Sequence, residues 1–543
     1  MTTMKKLLFT FYILLFTCYF ASAQDWIWGK GGYGSEKSNV YGAYVAADKR
    51  GNAYVCGMFN TAVTFAPFTL TQSSDNAYFV KYNSAGIVQW ALIPPNEQDG
   101  LPVAVDTAGY VYITGWYNNT STYYLTKYDS NGNVVWTKDP GYVFSDGSAI
   151  TSDKRGYIYT SGCFTNILVL GKDTLIAPAG STQFFVAKYD LNGNIIWARQ
   201  SSATDSNTYI HTYTSIAVDD AGNVYMEGTY EKSIRYGSYY ATAPVGSSAA
   251  VYVKYDINGN LKWAITPGSG YSDPDDEPYS IATDKANNSY ITGSYMNSIN
   301  FGSIILSNTG GKNVFLVKYD TNGNAVWAEQ ATGSNETPSL TRDDNNNLYM
   351  GCWSYKSFAF GGVSFSSVDM SDCILKIDTA GRVQCGSIIN NPQKGVNIAT
   401  DFNGKFFYLA GVTYDTIHIG PDTLPSNGSQ GVPVLARWCP CTGSDVTAQC
   451  SVEGINELSA YKEGITLYPN PNNGEFTIQS SVGSRQSTVD IYNMLGERIY
   501  SNSFSTLHSQ FLINLSGQPA GIYLYRVTSE SGKIMEQGKF IIN

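Results

Sequence analysis

The sequence predicts an all-β protein: a seven-bladed β-propeller whose last blade is completed by the N-terminal strand, followed by a small Ig-like β-sandwich. Three observations predict it. A ten-residue frame, KYDSNGNVVW from Lys127, recurs as KYDLNGNIIW from Lys188, KYDINGNLKW from Lys254 and KYDTNGNAVW from Lys318, with weaker copies from Lys81 and Lys376. A second frame, Asp-x-x-Gly-Asn-x-Tyr-x-x-Gly, alternates with it and sets an aromatic at Tyr54, Tyr112, Tyr159, Tyr225, Tyr290, Tyr349 and Phe407, at gaps of 58, 47, 66, 65, 59 and 58 residues. That period is too long for a two-helix repeat and suits a four-stranded sheet with its turns. The composition agrees: 53 glycines, 14% charged and 14% aromatic residues describe many short strands joined by glycine turns.

The chain divides in order. Lys5 and Lys6, an apolar run from Leu7 to Phe20 and the small residues Ala21, Ser22 and Ala23 have the three parts of a secretory signal, with cleavage before Gln24. Residues 24–441 are the repeat region, 418 positions at about 60 per blade. Within one repeat, Ser215–Val218 is a small-residue first strand, Asp-x-x-Gly-Asn turns it, and Val224–Gly228 is the second. Val251–Tyr255 is a third strand, Asp-x-Asn-Gly-Asn turns it, and Leu261–Ala264 is the fourth. Side chains grow from first strand to fourth, as blades that diverge from an axis require.

Both turns look at first like cation loops. Asp and Asn, however, bond their own backbone, and Gly takes positive φ, which is what a short hairpin needs. An EF-hand loop has glycine at its sixth position and a bidentate Glu at its twelfth. Here, counting from Asp129, Gly132 is fourth and Pro140 is twelfth.

The seventh repeat reaches Arg437 and Trp438 without a Trp-bearing fourth strand after them, while Asp25-Trp26-Ile27-Trp28-Gly29 opens the mature chain as an unmatched fourth strand. The N-terminal segment is therefore expected to close the ring beside Leu435, Ala436 and Arg437. Eight cysteines remain beyond Cys18. Cys352 and Cys385 replace the usual Gly and Trp of the sixth repeat, and either a disulfide staple of the last two blades or inert buried thiols fits this pattern.

The repeats resemble the bacterial surface-protein β-propeller repeat, through Phe184–Asp190 and the Gly-Asn-x-Tyr word. The resemblance implies a fold and a surface location and no activity. Residues 442–463 read as an acidic linker. Beyond it, Tyr468-Pro469-Asn470-Pro471, the Val489–Gly496 stretch ending in Gly496, and Gly521 with Tyr523 look like the type A sorting domain of the type IX secretion system of Bacteroidetes. That resemblance implies type IX secretion machinery as a partner and a secreted or outer-membrane surface-attached protein. Read without it, residues 464–543 alternate apolar and polar residues in short strands, as a small sandwich does.

Catalysis has little to draw on. There are three histidines, His211, His418 and His508, and no HExxH, GxSxG or phosphate loop. No cofactor is expected. The best acidic cluster, Asp273, Asp275 and Asp276, fits a calcium ion or a solvated loop. A formal net charge of −10 argues against nucleic acid as a partner. The expected role is a binding protein, monomeric, for an extracellular glycan or protein; a quinoprotein-like or glycan-processing propeller enzyme and a display protein without ligand are the alternatives.

Loop lengths place the expected site. From the second strand to the third-strand Lys the chain takes 24 residues from Gly57 to Lys81 and 26 from Gly162 to Lys188, but 12 from Gly115 to Lys127. The clipped second repeat should leave a notch flanked by Trp116 and Tyr117, with Tyr142 and Trp353 as further aromatic platforms.

Overall fold

In the computed structural model the chain splits into two compact units, Met1–Cys450 and Ser451–Asn543. The structure describes residues 26–34, 40–72, 75–95, 98–99, 102–117, 122–139, 145–202, 210–245, 248–269, 277–308, 312–390, 397–401, 404–425, 431–439, 465–468, 472–480, 487–493, 497–504, 510–529 and 534–542. The expected signal peptide and linker lie outside them.

In the first unit, among the described residues, the strands form seven successive repeat sheets. The first holds Val40–Ala47, Ala53–Phe59, Asn76–Tyr82 and Val88–Leu92. The second holds Val103–Val105, Val111–Tyr117, Tyr123–Tyr128 and Val134–Lys138, and the third Ser145–Ser152, Ile158–Thr165, Thr182–Tyr189 and Ile195–Gln200. The fourth holds Ile210–Val218, Val224–Glu231, Ser248–Tyr255 and Leu261–Ile265. The fifth holds Glu277–Thr283, Ser289–Tyr295, Asn313–Tyr319 and Ala325–Gln330, and the sixth Thr332–Arg342, Leu348–Phe360, Val363–Ile377 and Val383–Asn390. The seventh takes Asn397–Thr400, Phe407–Thr413 and Val432–Trp438 from one end of the unit and Trp26–Gly31 from the other.

Each first strand lies against the first strand of the next sheet, and Asn397–Thr400 lies against Val40–Ala47, so the series returns on itself. Serine side chains stitch several of these steps: Ser215 Oγ accepts from Ile281 N–H at 3.2 Å, Ser280 Oγ from Leu340 N–H at 2.9 Å and Ser339 Oγ from Ile398 N–H at 3.4 Å.

The N-terminal strand pairs where the sequence places it, with Trp28 opposite Arg437, Gly29 opposite Ala436 and Lys30 opposite Leu435. Trp28 thereby takes the place that Trp90, Trp136, Trp197, Trp263 and Trp327 hold opposite their lysines. One detail of the repeat frame is corrected. The aromatic of the seventh copy is Tyr408, not Phe407, because Tyr408 is the residue registered with Arg437. The first turn of that copy is one residue longer: Asp401 N–H reaches Phe406 O, five residues on, where Asp48 N–H reaches Asn52 O, four on.

In the second unit, Ile465–Tyr468, Glu475–Ser480 and Gln510–Asn514 make one sheet, and Arg498–Phe504, Ser487–Tyr492, Gly521–Ser529 and Ile534–Ile542 make another. Phe476, Ile478 and Ile513 from the first share one core with Val489, Ile491, Val527 and Phe540 from the second.

Candidate functional site

The repeated words act between sheets. Lys81 Nζ donates to Ser130 O at 2.7 Å and Trp90 Nε1 donates to the same oxygen at 3.2 Å, so two donors of one sheet converge on one carbonyl in the next sheet's outer turn. Lys127 and Trp136 do the same to Leu191 O, Lys188 and Trp197 to Ile257 O, Lys254 and Trp263 to Thr321 O, and Lys318 and Trp327 to Thr379 O. Arg437 and Trp28 complete the series on Ser84 O of the first sheet. The turn glycine has positive φ and lies flat on the preceding tryptophan. At Gly259, φ is +78° and an added Cβ would come 2.8 Å from Trp197. The aspartates are equally committed: Asp129 Oδ1 accepts from Asn131 N–H and Asn133 N–H, and Oδ2 from the Asn133 amide at 2.9 Å. In the inner turns the aspartate also takes the repeat tyrosine, as Asp219 does from Tyr225 Oη at 3.0 Å. Asp129 and Asp219 are thus saturated by their own hairpins.

The end of the ring that carries these turns is also tied across. Lys154 of the third sheet's inner turn reaches Asp344 of the sixth at 2.6 Å and Asp220 of the fourth at 3.6 Å, and Arg342 reaches Asp220 at 3.1 Å. The opposite end carries the long connections, and of the candidates read from the sequence Trp116, Tyr117 and Trp353 lie on the strands that lead to it.

Trp116 is partly exposed. Tyr117 is corrected: it is buried and stacked on Tyr124 at 5.0 Å, so it offers no platform. A short strand, Gln98–Asp99, pairs along this edge, with Asp99 opposite Trp116 and Gln98 opposite Tyr117. The clipping shows instead at the rim. Elsewhere the long connection folds into a hairpin over the outer strand, with Asp173 accepting from Ala198 N–H at 2.8 Å and Asp422 from Gly29 N–H at 3.0 Å. The second sheet has no such hairpin among the described residues, and its outer strand leaves Val134 and Val135 each 49% exposed.

Tyr142 and the cluster Asp273, Asp275 and Asp276 lie outside the described residues. Among the described residues no group of three His, Cys, Asp or Glu is placed to hold a metal ion. Of the sorting motif, Tyr523 is buried and its hydroxyl donates to Pro519 O at 2.6 Å, and Gly521 opens the strand that carries it. Tyr468 ends Ile465–Tyr468, while Pro469, Asn470, Pro471 and Gly496 fall outside the described residues.

Trp353 is partly buried against the core shared by the sixth and seventh sheets, and its indole N–H, itself buried, has no hydrogen-bond partner. Opposite it in register stands Asp372, which sequence reasoning missed. Asp372 is buried, its Oδ1 has no partner, and burial pushes its carboxyl up to about 8. A signal for it exists. Four residues before the third-strand lysine the other lysine-bearing repeats have Ala77, Tyr123, Phe184, Ala250 and Val314, and the sixth alone has a carboxylate. Glu227 of the fourth sheet is a second missed acid, fully buried, with both carboxyl oxygens unpartnered and its carboxyl pushed well up by burial.

Comparison with known proteins places both units. Residues 466–543 match the secretion system C-terminal sorting domain. The C-terminal unit is a type IX sorting domain. Residues 270–294 match the β-propeller repeat. The chain is accordingly an exported β-propeller-repeat protein, secreted or attached at the outer-membrane surface. An uncharacterised WD repeat-containing protein of Acanthamoeba polyphaga mimivirus is 23% identical over 430 residues, 61% of this chain, and the match spans only 30% of that relative. Similar solved structures include PorZ, described as an essential bacterial surface component of the type IX secretion system of Porphyromonas gingivalis, at 12% identity over 92% of this chain and 70% of that one, TM-score 0.28. A protein of unknown function from Bacteroides caccae is 11% identical over 56% of this chain and 87% of that one, TM-score 0.30, and one from Dyadobacter fermentans is 8% identical over 76% and 99%, TM-score 0.37. At TM-scores this low none of them decides a feature of this chain.

Proposed function

We propose that the first unit is a seven-bladed β-propeller closed by its N-terminal strand, that residues 1–23 are its signal peptide, and that it binds an extracellular glycan or protein on the face carrying the long connections. The C-terminal sandwich, Ig-like in this reading, directs the chain to the type IX machinery and takes no part in ligand binding. The observation that carries the binding reading is the asymmetry of the two ends. One is tied shut by hairpin turns and by the Lys154, Asp344, Asp220 and Arg342 ion pairs. The other varies far more in length, from 12 residues in the second repeat to 26 in the third, and carries a buried donor and a buried acceptor registered opposite each other and both unsatisfied, Trp353 Nε1 and Asp372 Oδ1. The protein acts by binding, not turnover, and as a monomer.

The test is a screen of the full secreted chain against glycan and surface-protein arrays. Saturable binding that Trp116→Ala weakens about tenfold and that Lys154→Ala leaves unchanged supports the reading. An empty screen on a folded protein removes it in favour of a display role.

A further inference from the structure

The sixth sheet sets a carboxylate at a cross-strand pair where the other lysine-bearing sheets have none. At the second-to-third-strand pair beyond the repeat Gly, the first, fourth and fifth sheets set Met58 opposite Ala77, Thr229 opposite Ala250 and Ser294 opposite Val314. The sixth sets Trp353 opposite Asp372. Registered partners point to one side of a sheet, here the side of Ile374, which belongs to the core between the sixth and seventh sheets. On that side the sixth sheet itself leaves one buried donor, Trp353 Nε1–H, and one buried acceptor, Asp372 Oδ1, each unmet, registered opposite each other, while the seventh sheet brings the unmet indoles of Trp26 and Trp438 to the same core. Leaving such groups bare is costly, so the pair specifies what is missing.

The missing group must accept from the indole and donate to the carboxyl. A carboxylate or phosphate satisfies the indole but has no donor for Asp372 Oδ1. An ammonium satisfies Asp372 and gives the indole nothing. A hydroxyl does both, and the partly exposed indole adds a face for the C–H surface of a sugar ring. We infer that Trp353 and Asp372 form a saccharide subsite, in which a ligand hydroxyl bridges the indole N–H and the carboxyl. This inference rests on the binding reading above and deepens it by naming the ligand class.

Burial at this site also separates a binding role from a structural one. A carboxyl held only to satisfy the fold loses stability when replaced, whereas one kept for a ligand is a burden on the empty protein. The experiment uses the full secreted chain with 15N-labelled indoles, the Trp353 resonance being assigned by its loss in Trp353→Phe. Neutral methyl glycosides of hexoses and N-acetylhexosamines and a neutral polysaccharide are titrated in.

The expected result is that one class shifts the Trp353 indole signal saturably, that Asp372→Asn weakens this binding about tenfold, and that the unliganded Asp372→Asn protein melts higher than the parent at pH 8. Three outcomes overturn the inference: saccharide binding that leaves the Trp353 signal and the Asp372→Asn affinity unchanged, a protein ligand found with no saccharide bound, or an Asp372→Asn variant that melts lower, the mark of a carboxyl bridged by a water alone. The first two leave the binding reading standing; the absence of any ligand removes both.

Discussion

Six junctions of the ring and the seventh, between the sixth and seventh sheets, are built differently. At the six, a cation and a tryptophan share one turn carbonyl, as Lys188 and Trp197 share Ile257 O. At the seventh, Lys376 stands opposite Cys385 where a tryptophan is due. The reason lies in the chain path. The shared carbonyl belongs to the turn between third and fourth strands, and the seventh sheet has no such turn, because Val432–Trp438 ends one stretch of chain and Trp26–Gly31 begins another. A tryptophan there has no carbonyl to meet. Cysteines stand at this junction instead, and Cys385 and Cys439 are both disulfide-bonded, while Cys352 and Cys373 face each other as free buried thiols. The same junction holds Trp353 and Asp372. Where the repeat no longer has to close on its neighbour in the standard way, its positions are free to carry something else.

The largest expected effect falls on the strand that closes the ring. Trp28 is buried, lies 5.8 Å from Tyr408 and bonds Ser84 O at 3.2 Å. Trp28→Ala should cost about 3–5 kcal/mol, read as a fall in denaturant midpoint, and an unchanged midpoint would mean that the N-terminal strand closes nothing.

Asp372 gives the next effect, of opposite sign. Burial pushes its carboxyl up to about 8 from the ordinary aspartate value of 3.8. A folded pKa above the unfolded one means that the folded state holds the proton more tightly. Stability from this group is therefore full below about pH 4 and is lost progressively as pH rises to about 8. Asp372→Asn should remove that slope and leave the protein more stable than the parent by about 2–3 kcal/mol at pH 8, with the difference closing toward pH 4. Parallel melting curves across this range would show that Asp372 ionises freely.

The smallest effect sharpens the comparison at a latched junction. Lys254 is buried beneath its stem, and burial lowers its ammonium pKa. Lys254→Met keeps the packing over Tyr225 but leaves Thr321 O to Trp263 alone, and should cost about 1–2 kcal/mol in a melt of the full chain. A neutral result would make the indole the sole working donor of the latch.

Much of this molecule was determined by the sequence alone. The two alternating words carry their own turn chemistry, since Asp and Asn side chains bond the next few backbone amides whatever surrounds them, as Asp129 does. Their recurrence in alternation then fixes the sheets, and the unmatched Trp28 shows which strand is missing from the last one. The sorting domain is legible for the same reason, as ordered words on short strands.

Tertiary structure decided what a side chain faces. Tyr408 rather than Phe407 continues the repeat because an added turn residue shifts the pairing by one, and only the partner Arg437 reveals the shift. Tyr117 looked like a platform and is stacked on Tyr124. The conspicuous Lys and Trp words proved to be adhesive between sheets, while the unremarkable Asp372 became the exceptional residue. Periodicity specifies which strand a residue occupies and which way it points. Whether that direction ends in a neighbour's carbonyl, a packed ring or an unsatisfied crevice depends on the adjoining sheet, which comes from some 60 residues away or, at the seam, from the other end of the unit.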